Sequence, residues 1–299
     1  MKIKPELLIV GATGYIGREL FGRAKIGHKV AGTSTNGCAD TIALKLESVL
    51  DFDFDRSLLS PSTVLIITAA ISSPDICANQ KDFAWSVNVD GAAKLITCAL
   101  DAGARVIFFS SDTVYGERDD VFSEDAHCHP AGEYAFMKNE IERRFTNNPL
   151  FKTVRLSYVF SRADKFTKYL VQSAKADVEV EIFHPFYRSI VYRTDVIEGA
   201  LALADRWEEF PQGVINFGGP EVISRVEFAE CLQRTALREL KFQVVEPDSE
   251  FFENRPRNIA MASPILKDLL GREPHTLEEA IGIEFGMSNV SQSKQGEVK

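Results

Sequence analysis

Three glycines spaced by three residues, Gly11, Gly14 and Gly17, constrain the fold of this chain more than any other feature. An apolar run at residues 7–10 precedes them and apolar residues at helical spacing follow, which predicts a strand, a sharp turn and a helix. Glycines allow a tight turn and let another group approach the backbone closely. Because N–H groups at a helix N-terminus attract phosphate, the stretch indicates a site for a dinucleotide pyrophosphate. The predicted contacts are Gly11, Thr13, Gly14, Tyr15, Ile16 and Gly17.

Bulk composition excludes several classes of protein. The 299 residues are 45% hydrophobic and 26% charged, which is typical of one large globular domain or of one and a half. A net charge of −9 argues against nucleic-acid binding, which needs a basic surface. Five scattered cysteines predict reduced thiols in a cytoplasmic protein. We expect no signal peptide and no membrane span. We also expect no metal site, since the spacing of His127, Cys128 and His129 matches no zinc-binding pattern.

Strand and helix patterns alternate along the first half of the chain. Such alternation predicts an α/β fold with a doubly wound, Rossmann-type parallel sheet. Ligands of these sheets bind outside the C-terminal ends of the strands, so we expect those ends to converge on one ligand. Further strands are expected at residues 28–33, 42–46, 64–70 and 105–109, and a helix at residues 83–102.

The end of the second strand bears on the choice of cofactor. It reads Gly-Thr-Ser-Thr-Asn at residues 32–36, without the carboxylate that usually binds the ribose 2′-hydroxyl of NAD. Hydroxyls of Thr33, Ser34 and Thr35 can hydrogen-bond a 2′-phosphate, so NADP(H) is favoured. NAD(H) stays open because the arginine expected beside a 2′-phosphate is also missing. Asp51 is the candidate for the adenine amino group, with Glu47 as its competitor.

Two further strand ends and one helix supply candidate chemistry. Small residues at Ala69 and Ala70 let a cofactor lie across the fourth strand. Tyr134 and Lys138 are four residues apart and share a helix face. A nearby ammonium lowers the pKa of a phenol, so Tyr134 is expected to exchange a proton with a carbonyl oxygen. Ser111, at a neighbouring strand end, is expected to hydrogen-bond the same oxygen.

These residues, in this order, resemble the extended short-chain dehydrogenase/reductases. The resemblance runs from about residue 7 to residue 283 and includes the glycine triplet, Asn88, Ser111 and the Tyr134/Lys138 pair. It implies binding of NAD(P), with Asn88 and Lys138 in the cofactor site. It also implies chemistry at a carbonyl or carbinol, usually on a nucleotide-linked sugar.

The second half of the chain narrows the resemblance. A core strand is expected at residues 153–160 and a helix at residues 225–240, which Ser224 and Glu227 would cap. The stretches 255–258 and 269–281 are similar to the ending of dTDP-4-dehydrorhamnose reductases. We therefore expect a smaller C-terminal α/β region that binds substrate. The expected division is 1–160 for the dinucleotide-binding core, completed by about 190–218, then 161–189 and 219–286 for substrate, and 287–299 for a disordered tail.

Three chemistries compete within the resemblance. Dehydratases of the family carry an Asp-Glu pair after the catalytic Ser or Thr, whereas Asp112 is followed here by Thr113. The favoured hypothesis is NAD(P)H-dependent reduction of the C4 keto group of a nucleotide-linked 6-deoxy sugar. A nucleotide-sugar 4-epimerase with tightly bound NAD is the alternative. A second alternative is an NADP-binding regulatory protein without turnover, like the methionine adenosyltransferase regulatory subunit, which residues 110–112 also resemble.

Candidate substrate contacts are fewer. Arg188 and Arg255 can bind a diphosphate in bidentate geometry. Ser72 and Asp112 complete the set of predicted substrate residues. Many relatives form dimers through equivalents of residues 83–100 and 134–145, so a homodimer is also expected.

Overall fold

The computed structural model describes residues 4–38, 40–51 and 56–287. From residue 288 onward, the predicted disordered tail lies outside these residues. The strands are β1 Glu6–Val10, β2 Val30–Ser34, β3 Ile42–Ala43, β4 Thr63–Ile67, β5 Arg105–Ser111, β6 Val121–Phe122, β7 Phe151–Leu156, β8 Val159–Phe160, β9 Val180–Phe183, β10 Tyr187–Ser189, β11 Val191–Tyr192, β12 Val214–Phe217, β13 Val222–Ser224, β14 Phe242–Val245 and β15 Asn258–Met261.

Helices cover both faces of the main sheet. The α-helices are α1 Gly17–Ala24, α2 Pro74–Asn79, α3 Lys81–Trp85, α4 Ala92–Asp101, α5 Glu133–Phe145, α6 Lys165–Lys175, α7 Arg193–Asp205, α8 Arg225–Thr235, α9 Ser249–Phe252, α10 Pro264–Leu270 and α11 Leu277–Glu284. Short 3₁₀ helices span Leu46–Asp51, Arg56–Leu58, Asp112–Tyr115 and Trp207–Glu209, and a π-helix spans Ser86–Gly91.

Seven parallel strands form the central sheet, in the order β12-β7-β5-β4-β1-β2-β3. Strand β1 shows why it is covered on both sides: Leu7 and Ile9 enter one core, and Leu8 and Val10 enter the other. All four are at most 2% exposed. Alternate residues of a strand point to opposite faces, so a fully apolar strand needs helices on both. The predicted doubly wound α/β fold is confirmed.

Smaller sheets gather in the second half of the chain. Strands β13, β10, β15 and β6 form a four-stranded sheet, while β11 pairs with β8 and β14 pairs with β9. A separate core lies beneath them, containing Phe160, Leu170, Ile182 and Phe228. Strand β12 crosses back and completes the central sheet. The assignment of the two regions to cofactor and substrate stays a prediction.

Several segments differ from their sequence-based bounds, among them β2, β4 and β5, whose ends lie one to three residues from those expected. The strand expected at 42–46 ends at Ala43, because Leu46 already begins a 3₁₀ helix. The helix expected at 83–102 consists of α3 and α4, which the π-helix joins. The strand expected at 153–160 breaks after Leu156 and resumes at Val159. Helix α8 keeps its Ser224/Glu227 capping box but ends at Thr235, before the expected residue 240.

Candidate active site

A cavity of about 470 Å³ lies at the C-terminal ends of β1, β2, β4 and β5. Polar and small side chains from four strand ends meet helix α5 there, as expected for a doubly wound sheet. The sequence-predicted residues that line it are Gly11, Thr13, Gly14, Tyr15, Ile16, Gly17, Thr33, Ser34, Thr35, Ala69, Ala70, Ser72, Tyr134 and Lys138.

The glycine turn is built for close backbone approach. Gly11 has a φ of +88°, in the left-handed region, and a Cβ there would lie 2.9 Å from the Cβ of Ala69. A Cβ on Gly17 would lie 2.1 Å from the Gly11 carbonyl oxygen. The third glycine therefore lets helix α1 pack against the end of β1. Helix α1 begins without a side-chain cap, so its N-terminus opens into the cavity.

Hydroxyls at the end of β2 face the same cavity, though one of them is already bonded. The Ser34 Oγ lies 2.8 Å from the Oγ1 of Thr41. Of the two adenine candidates, Glu47 lines the cavity, and it is the only acidic side chain among the described lining residues. Asp51 ends a 3₁₀ helix, and its side chain falls outside the described part of the structure.

Tyr134 and Lys138 lie on adjacent turns of α5 and share the cavity wall. The Nζ of Lys138 lies 5.8 Å from the centre of the Tyr134 ring and donates a 2.7 Å hydrogen bond to the Phe109 carbonyl oxygen. Burial raises the pKa of Tyr134, and Cys77 and Asp112 add to the rise. Burial therefore sets the direction of the Tyr134 pKa, which is opposite to the direction expected from a neighbouring ammonium alone.

Lys138 makes stability depend on pH. Burial lowers the pKa of its ammonium from 10.5 to about 8, although Glu142 and Cys77 oppose the change. Between pH 8 and pH 10.5 the unfolded chain thus binds a proton that the folded chain lacks, and the free energy of unfolding rises with pH. We expect Lys138→Met to gain stability relative to the unaltered protein below pH 8, and to lose that gain, on the order of 3 kcal/mol, by pH 10.5.

Urea unfolding of both proteins at a series of pH values measures this difference. The exposed Lys168 supplies the control, since Lys168→Met removes an ammonium that already faces solvent. A constant difference for Lys138→Met would contradict the assignment of a penalty to the buried ammonium.

Ser111 and Asp112 bond within the protein. The Oγ of Ser111 accepts from the Thr113 backbone N–H at 3.2 Å and is not among the described residues that line the cavity. Asp112 is buried beside it, accepts from Ser157 Oγ at 3.1 Å and pairs with the Nε of Arg188 at 3.4 Å. Burial raises the pKa of Asp112, and Arg188 opposes the rise. The roles of Ser111, Asp112 and Arg188 stay predictions.

Asn88 acts on the cavity wall from behind. It is buried on the π-helix; its side-chain oxygen accepts from the Ile71 N–H at 2.8 Å and its amide donates to the Ile71 carbonyl at 2.9 Å. Ile71 lines the cavity, whereas Asn88 does not appear among the described lining residues. Asn88 therefore positions the segment after β4.

A buried charge network behind the cavity escaped the sequence analysis. Arg155 pairs with Glu142 at 2.7 Å, and Ser110 donates to the same carboxylate. Glu142 lies four residues after Lys138 on α5. The apolar neighbours of Arg155 in the sequence predict a core strand. A charged residue inside such a strand needs a buried partner of opposite charge, and this was the sequence signal for the network.

Arg255 is not among the described residues that line the cavity. Arg255 donates to Asp75 at 2.6 Å, across from the C-terminal region to the start of α2. Within the described ranges there is no group of three or more residues able to hold a metal ion. No helix in the same ranges is long and apolar enough to span a membrane.

Known proteins resemble this chain along most of its length. It is 24% identical over 293 residues to the dTDP-4-dehydrorhamnose reductase of Aggregatibacter actinomycetemcomitans, covering 92% of this chain and 97% of that one. It is 26% identical over 235 residues to the methionine adenosyltransferase 2 subunit beta of Xenopus laevis, covering 74% and 69%.

Solved structures share the fold. The dTDP-4-dehydrorhamnose reductase from Bacillus anthracis in complex with NADP has a TM-score of 0.79 at 20% identity, covering 94% of this chain and 99% of that one. MoeE5 in complex with UDP-glucose and NAD has a TM-score of 0.79 at 20% identity, covering 94% and 97%.

A family assignment follows from the sequence match. Residues 5–283 match the family described as the RmlD substrate binding domain. The match covers nearly all of the described residues and confirms the resemblance drawn from the motifs. The chain therefore belongs to the RmlD substrate binding domain family.

Proposed function

We propose that this protein reduces the C4 keto group of a nucleotide-linked 6-deoxy sugar with NAD(P)H. One observation carries the proposal: Tyr134 and Lys138 line the same cavity as the glycine turn of residues 11–17. A proton donor and a pyrophosphate site thus share one space. Relatives that reduce dTDP-4-dehydrorhamnose support the substrate class.

The cavity suits a dinucleotide. The glycines of the turn lack side chains that would obstruct a ligand, and the N-terminus of α1, which has no side-chain cap, faces the cavity. The small side chains of Ala69 and Ala70 leave room for a ligand after β4. The remaining contacts proposed for the cofactor are those of residues 33–35, with Asn88 holding Ile71 in place. The bound nicotinamide supplies the hydride.

Tyr134 is proposed to protonate the oxygen that becomes an alkoxide. Its raised pKa keeps the phenol protonated at neutral pH, which is the form that donates. The Lys138 ammonium, 5.8 Å from the ring, stabilises the phenolate that remains. Ser111 is proposed to orient the carbonyl, and Ser72, Asp112, Arg188 and Arg255 to contact the substrate.

Turnover tests the proposal directly. Purified protein is given NADPH or NADH with a panel of dTDP- and UDP-linked 4-keto sugars, and cofactor oxidation is followed at 340 nm. We expect oxidation that depends on the sugar. Interconversion of sugars without net cofactor consumption would instead show the 4-epimerase, and tight cofactor binding without turnover would show the regulatory alternative.

NADP(H) is the proposed cofactor because no carboxylate ends β2, although Glu47 lines the same cavity. We expect Ser34→Asp to weaken NADPH binding at least about tenfold more than NADH binding, since a carboxylate there repels a 2′-phosphate. Titration calorimetry measures both dissociation constants. Ser34→Asn is the uncharged control; equal weakening of the two cofactors by Ser34→Asp would remove this assignment.

A further inference from the structure

Arg225 carries a half-buried charge without an anionic partner. It begins α8, and its Cζ lies 5.0 Å and 4.4 Å from the ring centres of Phe166 and Phe186. Within the residues that the structure describes, its side chain makes no ion pair and no hydrogen bond. Burial, together with the neighbouring charges of Arg188 and Arg255, lowers the pKa of Arg225 to about 10, while Tyr158 opposes the change. A cation held away from water without a counter-charge gains strongly from an anion.

The two neighbouring arginines are already engaged. Arg188 pairs with Asp112 and donates to backbone carbonyls of two segments, at 2.6 Å and 2.8 Å. Arg255 pairs with Asp75 at 2.6 Å. Arg225 is therefore the member of this arginine cluster to which the described residues supply neither an acidic partner nor a hydrogen-bond acceptor.

Three consecutive residues, 156–158, lie between the wall of the large cavity and the wall of a smaller cavity that Arg225 lines. Leu156 lines the large cavity, Ser157 donates to Asp112, and Tyr158 lines a second, smaller cavity together with Arg225. The smaller cavity has a volume of about 20 Å³, which admits about one water-sized group. An oxygen atom of an anion fits beside Arg225, whereas a nucleobase does not.

We propose that Arg225, whose guanidinium contacts the rings of Phe166 and Phe186, binds a phosphate oxygen of the substrate's diphosphate. The substrate would then extend from Tyr134 past Asp112 to Arg225. The inference rests on the proposed function, because it assumes that the substrate carries a nucleoside diphosphate. Contact with two aromatic rings stabilises the guanidinium in this position, and a guanidinium can bind phosphate in bidentate geometry. The diphosphate also relieves the repulsion among the three arginines.

Binding of dTDP and UDP, each compared with its nucleoside, tests the assignment. We expect Arg225→Gln to weaken dTDP and UDP binding about 10- to 100-fold, because it removes hydrogen bonds to a charged group. Thymidine, uridine and NADPH should bind as before, and Arg225→Lys should keep part of the diphosphate affinity. Arg234→Gln, near the other end of α8 and exposed, is the matched control and should leave all affinities unchanged.

Thermal unfolding is measured on the same variants. The Tm of Arg225→Gln should be no lower than that of the unaltered protein, since an uncompensated charge is removed. If the unaltered protein binds dTDP or UDP and Arg225→Gln binds it equally well, the role of Arg225 is overturned while the proposed function stands. If the unaltered protein binds NADPH but neither dTDP nor UDP, a substrate linked to either of these nucleotides is wrong, and the assignment of Arg225 to their diphosphate falls with it.

Discussion

Replacing Tyr134 with phenylalanine is expected to lower kcat by about two to four orders of magnitude, the usual worth of a positioned proton donor. Affinity for the cofactor should stay nearly unchanged, because the phenol ring that lines the cavity remains. Steady-state rates with the sugar substrate, together with cofactor titration, measure both effects. The loss should appear in kcat and not in KM, since the hydroxyl acts on charge that develops in the transition state.

Tyr169→Phe is the control for this substitution. Tyr169 lies on α6 and is exposed, so loss of its hydroxyl should leave kcat unaltered. Near-normal kcat in Tyr134→Phe would assign the proton transfer to another group, and the buried Ser111 beside Asp112 would be the next residue to test.

Gly17→Ala is expected to destroy the cofactor site. A Cβ at this position would lie 2.1 Å from the Gly11 carbonyl oxygen and 2.7 Å from the Oγ1 of Thr68, so α1 must move away from β1. Because the first atom is backbone, no rotation of a side chain relieves the clash. We expect a loss of stability of about 2 to 4 kcal/mol, as for an overpacked core, and loss of measurable NADPH binding.

The same helix offers a matched control. Gly22 is exposed on α1, and a Cβ there would meet nothing within 4 Å. Gly22→Ala should therefore stabilise the protein by roughly 0.5 to 1 kcal/mol and leave cofactor binding intact. Urea unfolding and cofactor titration of both variants decide the matter, and the prediction fails if Gly17→Ala binds NADPH as well as Gly22→Ala does.

Much of the fold followed from local patterns. The apolar run before Gly11 and the alternation of strands and helices predicted the parallel sheet, and the seven strands of the central sheet are parallel. Segment ends were less predictable, because Leu46 and Ser157 look compatible with a strand until their neighbours are in place. The strand is interrupted at Ser157, whose hydroxyl donates to Asp112. No local sequence pattern predicts that hydrogen bond.

Side-chain roles were harder to predict than side-chain positions. Residues 33–35, Ala69, Ala70, Tyr134 and Lys138 lie around one cavity as expected from strand ends and helix spacing. The pKa of Tyr134 differed from expectation because it depends on burial, which is set by distant parts of the chain. Arg225 escaped notice for the same reason.

The sequence by itself determined the strand–turn–helix unit at residues 7–24, the doubly wound sheet and the family, since these depend on residue periodicity and on motif spacing. Tertiary structure alone decided that Ser34 bonds Thr41, that Asp112 pairs with Arg188, and that Arg225 contacts the rings of Phe166 and Phe186. Each of these contacts involves side chains whose partners are chosen only when the chain folds. The glycine turn marks where a dinucleotide would lie, and the packing around it determines which charges are left to bind the substrate.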